Sequence, residues 1–307
     1  MLGVEDGQRV EVTGVVRSVQ AWGRQLGLEL ASGGYRFRAF PRVSAEVDPN
    51  SLVGATLHVR GTAAAIFNFP TRQLLNVVMF VPQQSDFIID QIPDAAVSRE
   101  PLIALDRVAQ YRRNNSPEAR VRVQGVVTYQ RPGKDIFLHD ESGGLHVKCR
   151  ETNTFAPGEI VEAIGFPVVE HFYPVLQDAI LSRKHQSERK VVPQKVSISV
   201  LLEGLHHADV VSAQGRLLDR ALRPLRTSSS LVSGTNEHVL TLQSSNFVFT
   251  VEAPATSQFA ELATIPIGST LEVSGICLLQ ARDANWIETI QLLPLEAASI
   301  RILQRPD

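Results

Sequence analysis

Nine side chains in the middle of the sequence are the ones whose types could hold a ligand together: Tyr129, Arg131, Phe137, His139, His146, Lys148, His171, Phe172 and Tyr173. Aromatic rings interleaved with basic groups stack planar rings and hold anionic oxygens. A weaker patch of the same kind, Tyr35, Arg36, Phe37, Arg38 and Arg42, lies nearer the start. A competing reading places Phe137 and Phe172 in a core or between domains, and leaves Lys148 and Arg150 as solvated charges. Covalent catalysis has less to work with. The chain lacks a G-x-S-x-G elbow, an H-E-x-x-H helix, a Walker loop and a dinucleotide fingerprint. Ser142-Gly143-Gly144 reads as a turn. His139, His146 and His171 can be drawn as a metal site, but the first two flank one hairpin, so we expect no metal, no cofactor and no catalytic residue. Cys149 alternates in phase with Leu145 and Val147, and Cys277 lies in an equally apolar run. Both are expected as buried thiols.

The elements that must position these groups are strands. Tyr35-Arg36-Phe37-Arg38-Ala39-Phe40 alternates with period two, placing Tyr35, Phe37 and Ala39 on one face and the arginines on the other. Helical periodicity is confined to Pro101 to Arg112 and Ser199 to His206, with shorter candidates at Ala255 to Ala263 and near Ser44 to Leu52. Three segments open alike, at Gln8 to Val16, Ala119 to Val127 and Ala208 to Leu217, carrying Gly14, Gly125 and Gly215. Each is followed by a second strand ending in Gly61, Gly165 or Gly275, and by a loop glycine before that strand, at Gly54, Gly158 or Gly268. A glycine in a strand marks a bulge or bend where a small barrel turns its corner. The pattern therefore predicts a mainly all-β chain of three tandem OB-like five-stranded barrels joined by short helical linkers. The barrels are placed at 1–90, 118–192 and 208–307, with linkers at 91–117 and 193–207. In the middle barrel the strands run over Arg120 to Tyr129, Asp135 to Asp140, Leu145 to Arg150, Glu159 to Pro167 and Tyr173 to Ser182. The connection Glu151 to Pro157 is too short for a good helix.

Period two also sends Phe137, His139, His146 and Lys148 into one groove, with Ile136, Leu138, Leu145 and Val147 opposite. OB barrels bind ligands on this second- and third-strand face. We expect the groove to meet a neighbouring barrel in preference to a small molecule. Of the 307 residues, 30 are basic and 32 acidic, a net charge of −2. That balance argues against a protein that lives on phosphate backbones. Hydrophobics at 44% and charged residues at 20% describe a folded chain. No apolar run is long enough to span a bilayer, and the first residues lack a signal-peptide pattern.

Val121 to Tyr129, Pro132-Gly133, Ile136 to Gly144, Pro157-Gly158-Glu159, Gly165-Phe166-Pro167 and Pro174 to Ala179 resemble the extracytoplasmic region of bacterial membrane-bound sensor histidine kinases. The tail, Leu271 to Cys277 and Ile300 to Pro306, is similar to the segment that runs into a membrane helix in those proteins. The resemblance implies a non-catalytic periplasmic sensor or adaptor module cut from something longer, with a membrane helix and a kinase elsewhere. Its partner would be a small molecule or a protein, with a homodimer possible and no nucleic acid. The alternative, from another class, is a tandem OB-fold protein that binds single-stranded nucleic acid.

Overall fold

The computed structural model describes residues 6–22, 25–42, 49–68, 73–92, 101–108, 119–186, 191–224, 236–283 and 286–306. The first barrel is built from β1 (Arg9–Trp22), β2 (Gln25–Ser32), β3 (Tyr35–Pro41), β4 (Thr56–Asn68) and β5 (Gln73–Val81), with β6 (Phe87–Gln91) added beside β4. The second follows a two-residue strand, β7 (Leu102–Ile103), and comprises β8 (Val121–Arg131), β9 (Asp135–His139), β10 (Gly144–Lys148), β11 (Glu159–Glu170) and β12 (Tyr173–Gln186). After β13 (Gln194–Lys195) and the single helical turn α1 (Ile198–Leu201), the third consists of β14 (Val210–Pro224), β15 (Asn236–Ser244), β16 (Phe247–Pro254), β17 (Thr270–Asp283) and β18 (Trp286–Pro294), edged by β19 (Ile300–Gln304).

One pairing plan recurs three times. The first three strands form an antiparallel meander, the third pairs in parallel with the fifth, and the fourth pairs with both the fifth and the first. This is the expected tandem of OB-like barrels. The barrels are arranged as two compact units: the first barrel alone, and the second and third together.

The loop glycines found by repetition have a common task. Gly54, Gly158 and Gly268 sit at φ +86°, +93° and +92°, a region a β-carbon disfavours. Their N–H groups donate to Val16 O, Val127 O and Leu217 O at 2.7, 2.9 and 2.8 Å. Those three carbonyls belong to residues at the register shifts of the first strands, at Val16/Ser18, Val127/Tyr129 and Leu217/Asp219. Each barrel is thus latched where its first strand bulges, and the chain between third and fourth strands is free to vary. It supplies a 3-10 turn (Pro49–Leu52) with Leu52 in the first core, and a longer one (Ser257–Thr264) with Phe259 and Leu262 in the third. In the second barrel the short connection holds no helix, as expected, and buries Phe155 instead.

The first linker is less helical than Pro101 to Arg112 predicted. Its described part is β7 and one 3-10 turn, Leu105–Arg107, and Ala109 to Arg112 fall outside the described residues. The turn is held from outside: Leu105 N–H donates to Asp140 Oδ2 at 3.0 Å and Asp106 N–H to Ser142 Oγ at 3.1 Å. Ser142, read above as part of a turn, therefore caps the linker.

Cys149 and Cys277 are both buried and free. Burial pushes the Cys149 thiol up to about 11 and raises Cys277 further. Because the thiolate is the reactive form, both should label with iodoacetamide only as fast as the barrels open. Labelling of either at the rate of an unfolded peptide would place its strand with the wrong face inward.

Candidate nucleic-acid interface

The groove of the second barrel forms as period two required, and it is filled. Phe137 lies opposite His146 in the β9–β10 ladder and the rings stack at 4.7 Å. Phe137 is fully buried against Ala208, Val210, Ile276, Leu278 and Leu293 of the third barrel. The approach is closest at Gly144, where a β-carbon would lie 2.2 Å from Ala208 O, while its N–H donates to Asp209 Oδ1 at 2.7 Å. His139 Nε2 stands 3.5 Å from the same carboxylate oxygen.

The other candidates are spent on internal pairs. Burial opposes ionisation of Asp135, but His146 (3.0 Å) and Arg131 (2.7 Å) outweigh it and hold its carboxyl at about 2. Lys148 is ion-paired with Glu170. Tyr129 packs 6.3 Å from the Phe137 ring, and burial raises its phenol. Tyr173 stacks on His207 at 4.1 Å and donates to Gly204 O at 3.1 Å, with its phenol pushed up to about 12 by burial. His171 and Phe172 form the β11–β12 turn at φ +47° and +70°, where His171 O accepts the Ala281 N–H of β17 at 3.3 Å and Phe172 is exposed. The structure therefore gathers eight of the nine residues, all but Phe172, at or beside a seam between barrels. Among the described residues no cluster of histidine, cysteine and carboxylate side chains could hold a metal.

The first barrel presents the same face open. On β3, Phe37 and Ala39 point inward, so Arg36, Arg38 and Phe40 share the outer side, with the exposed Arg42 just beyond the strand end. The parallel β3–β5 register sets Phe40 beside Phe80, and their rings stack at 5.7 Å and 25°. Phe80 is 49% exposed. A groove of about 450 Å³ runs over this pair, bordered by Gln25, Arg38, Ile66 and Asn76. A second of about 350 Å³ shares Asn76 and continues past Leu74 and Arg36 to Tyr35. Arg36 stands 3.5 Å from Glu29, whereas Arg38 has no carboxylate within ion-pair distance among the described residues. Sequence reading found the arginines but put Phe37 in their patch, and it missed Phe40 and Phe80. Phe40 follows Arg36 and Arg38 at the same period. Phe80 becomes a neighbour only through the β3–β5 register, which no local pattern encodes.

No family model matches the chain, and no curated protein does. Among solved structures it is similar to a replication protein A heterotrimer bound to ssDNA, at 7% identity and a TM-score of 0.27, covering 96% of this chain and 94% of that one. A murine DNA-binding protein bound with dsDNA gives 9% and 0.29, over 60% of this chain and 99% of that one. The HINa domain of Ifi202 in complex with 20-bp dsDNA gives 8% and 0.25, over 58% and 99%. At such identities and scores, likeness carries no weight for what this chain binds. None of these three structures is a sensor kinase, and all three hold DNA. The structure itself corrects the expected sensor module with no nucleic-acid partner: the groove offered for its ligand is packed by the third barrel, and the open aromatic and basic face lies on the first barrel. Among the described residues no helix is long and apolar enough to cross a membrane.

Proposed function

We propose that the chain binds single-stranded nucleic acid on the outer face of its first barrel, without catalysis. The observation that carries this reading is the stacked, solvent-facing Phe40–Phe80 pair flanked by Arg36, Arg38 and Arg42. It lies on the strand face that OB barrels use for oligonucleotides. Aromatic platforms stack bases whatever their identity, and guanidinium groups hold the phosphates between them. A duplex hides its base faces, so the platform favours a single strand. The net charge of −2 fits a binder that relies on stacking more than on phosphate contacts.

With three arginines at the face and about 0.7 counterions released per phosphate on a single strand, log K against log salt should fall with a slope of about −2 or shallower. Anisotropy titrations with labelled oligo(dT) at several salt concentrations measure this. Phe40→Ala and Phe80→Ala should each weaken binding by about 1–3 kcal/mol with the slope unchanged. Arg38→Gln should reduce the slope by about 0.7. Each of the three residues is solvent-facing, so these variants should fold. No binding at low salt, or affinity indifferent to both phenylalanines, would overturn the proposal.

A further inference from the structure

We infer that the strand occupies one barrel and that the other two add nothing to its length, so that the natural target is a short single-stranded stretch. The inference rests on the reading just given and narrows it. At the place where the first barrel carries Phe40 beside Phe80, the second carries Lys148 and Gln177, both bound to Glu170, and the third carries Glu252 and Leu293. The second barrel's face is closed, because Phe137 and Gly144 are in contact with the third barrel. The third barrel's face is closed chemically. Its outward positions on β15 and β16 include Glu237, Val239, Thr241, Thr250 and Glu252, with no aromatic ring among them. The cation there, Arg223, is held by both glutamates, at 2.8 Å from Glu237 and 2.7 Å from Glu252. Lys134 and Arg131 of the second barrel also face these glutamates, so the charges here answer one another and the face offers a strand no ring to stack on. Tandem repetition has thus produced one reading barrel and a two-barrel body that does not read.

The length dependence of binding tests this on the whole chain. A single OB barrel covers about 4–16 nucleotides. Once that length is exceeded, a longer oligonucleotide gains only by offering more registers. From 24 to 48 nucleotides of oligo(dT) at fixed salt, with the oligonucleotide in excess, affinity should therefore rise less than about tenfold. An extended site over two or three barrels would add linked contacts and raise affinity by about 10²–10⁴. Ultraviolet cross-linking should place the adducts in peptides of β3 and β5, and none in β9, β10, β15 or β16. A gain of a hundredfold or more, or cross-links in β15 and β16, would overturn this inference while leaving nucleic-acid binding intact. Failure of all lengths to bind would instead remove the parent reading.

Discussion

Phe137→Ala is expected to destabilise the second and third barrels together by about 3–5 kcal/mol, the usual cost of truncating a buried phenylalanine. The ring is fully buried and belongs to a cluster whose other members come from the third barrel. Truncation leaves a cavity between two sheets whose backbones are fixed by their own ladders, so little collapse can offset it. His146 loses the ring it stacks on, while still holding Asp135. Peptide-resolved hydrogen exchange is the discriminating measurement. Protection should fall across β8 to β18 and persist across β1 to β5, because the first barrel is a separate unit. Lys148→Ala, which removes a half-exposed ion pair with Glu170, should cost no more than about 1 kcal/mol. Equal, small effects from both variants would mean that the seam does not bear on stability.

Acid should open the same unit, through His207. Burial pushes this imidazole down to about 3, and its Nδ1 accepts the Leu279 N–H at 3.1 Å, which fixes it as a neutral ring under Tyr173. In the unfolded chain the ring titrates near 6.5, so below that pH the unfolded state binds a proton that the folded state refuses. The contribution is complete above about pH 6.5 and declines at about 1.4 kcal/mol per pH unit as pH falls towards 3. By pH 5 the loss is about 2 kcal/mol. Asp135 acts lower down. Its carboxyl is depressed to about 2, so its stabilisation holds above the unfolded value near 3.9 and fades below it. Urea midpoints of the second unit, followed by labelling of Cys277, should fall steadily between pH 6.5 and 4. His207→Asn should start lower and lose most of that slope. A wild-type midpoint flat over this interval would show that His207 is not buried neutral.

Much of the fold was legible because its signals are local. Gly54, Gly158 and Gly268 answer a backbone demand that only nearby residues impose, and repetition exposed all three. The strands of the middle barrel follow from alternation, as does the shared face of Phe137, His139, His146 and Lys148. What that face meets was not legible in detail. Ala208, Val210, Ile276, Leu278 and Leu293 look like ordinary strand residues of another repeat until the two barrels dock. The open platform was half visible for the same reason: Arg36 and Arg38 announce an outward row, but Phe80 joins it through a parallel ladder. The first linker misled because Leu102, Leu105 and Val108 have helical spacing, whereas Asp140 and Ser142 hold the backbone in a single tight turn.

The closure of the second barrel by the third also sets an order of events during synthesis. The fifth strand of the second barrel ends at Gln186, and Leu293, the last residue to cover Phe137, is made about a hundred residues later. At about 5–20 residues per second, the nascent chain carries an uncovered apolar groove for about 5–20 s. A ribosome stalled in that interval presents a finished barrel with a sticky face, while the first barrel already has its whole core. Chaperone engagement with the emerging chain should therefore rise after Gln186 and subside as β18 leaves the exit tunnel.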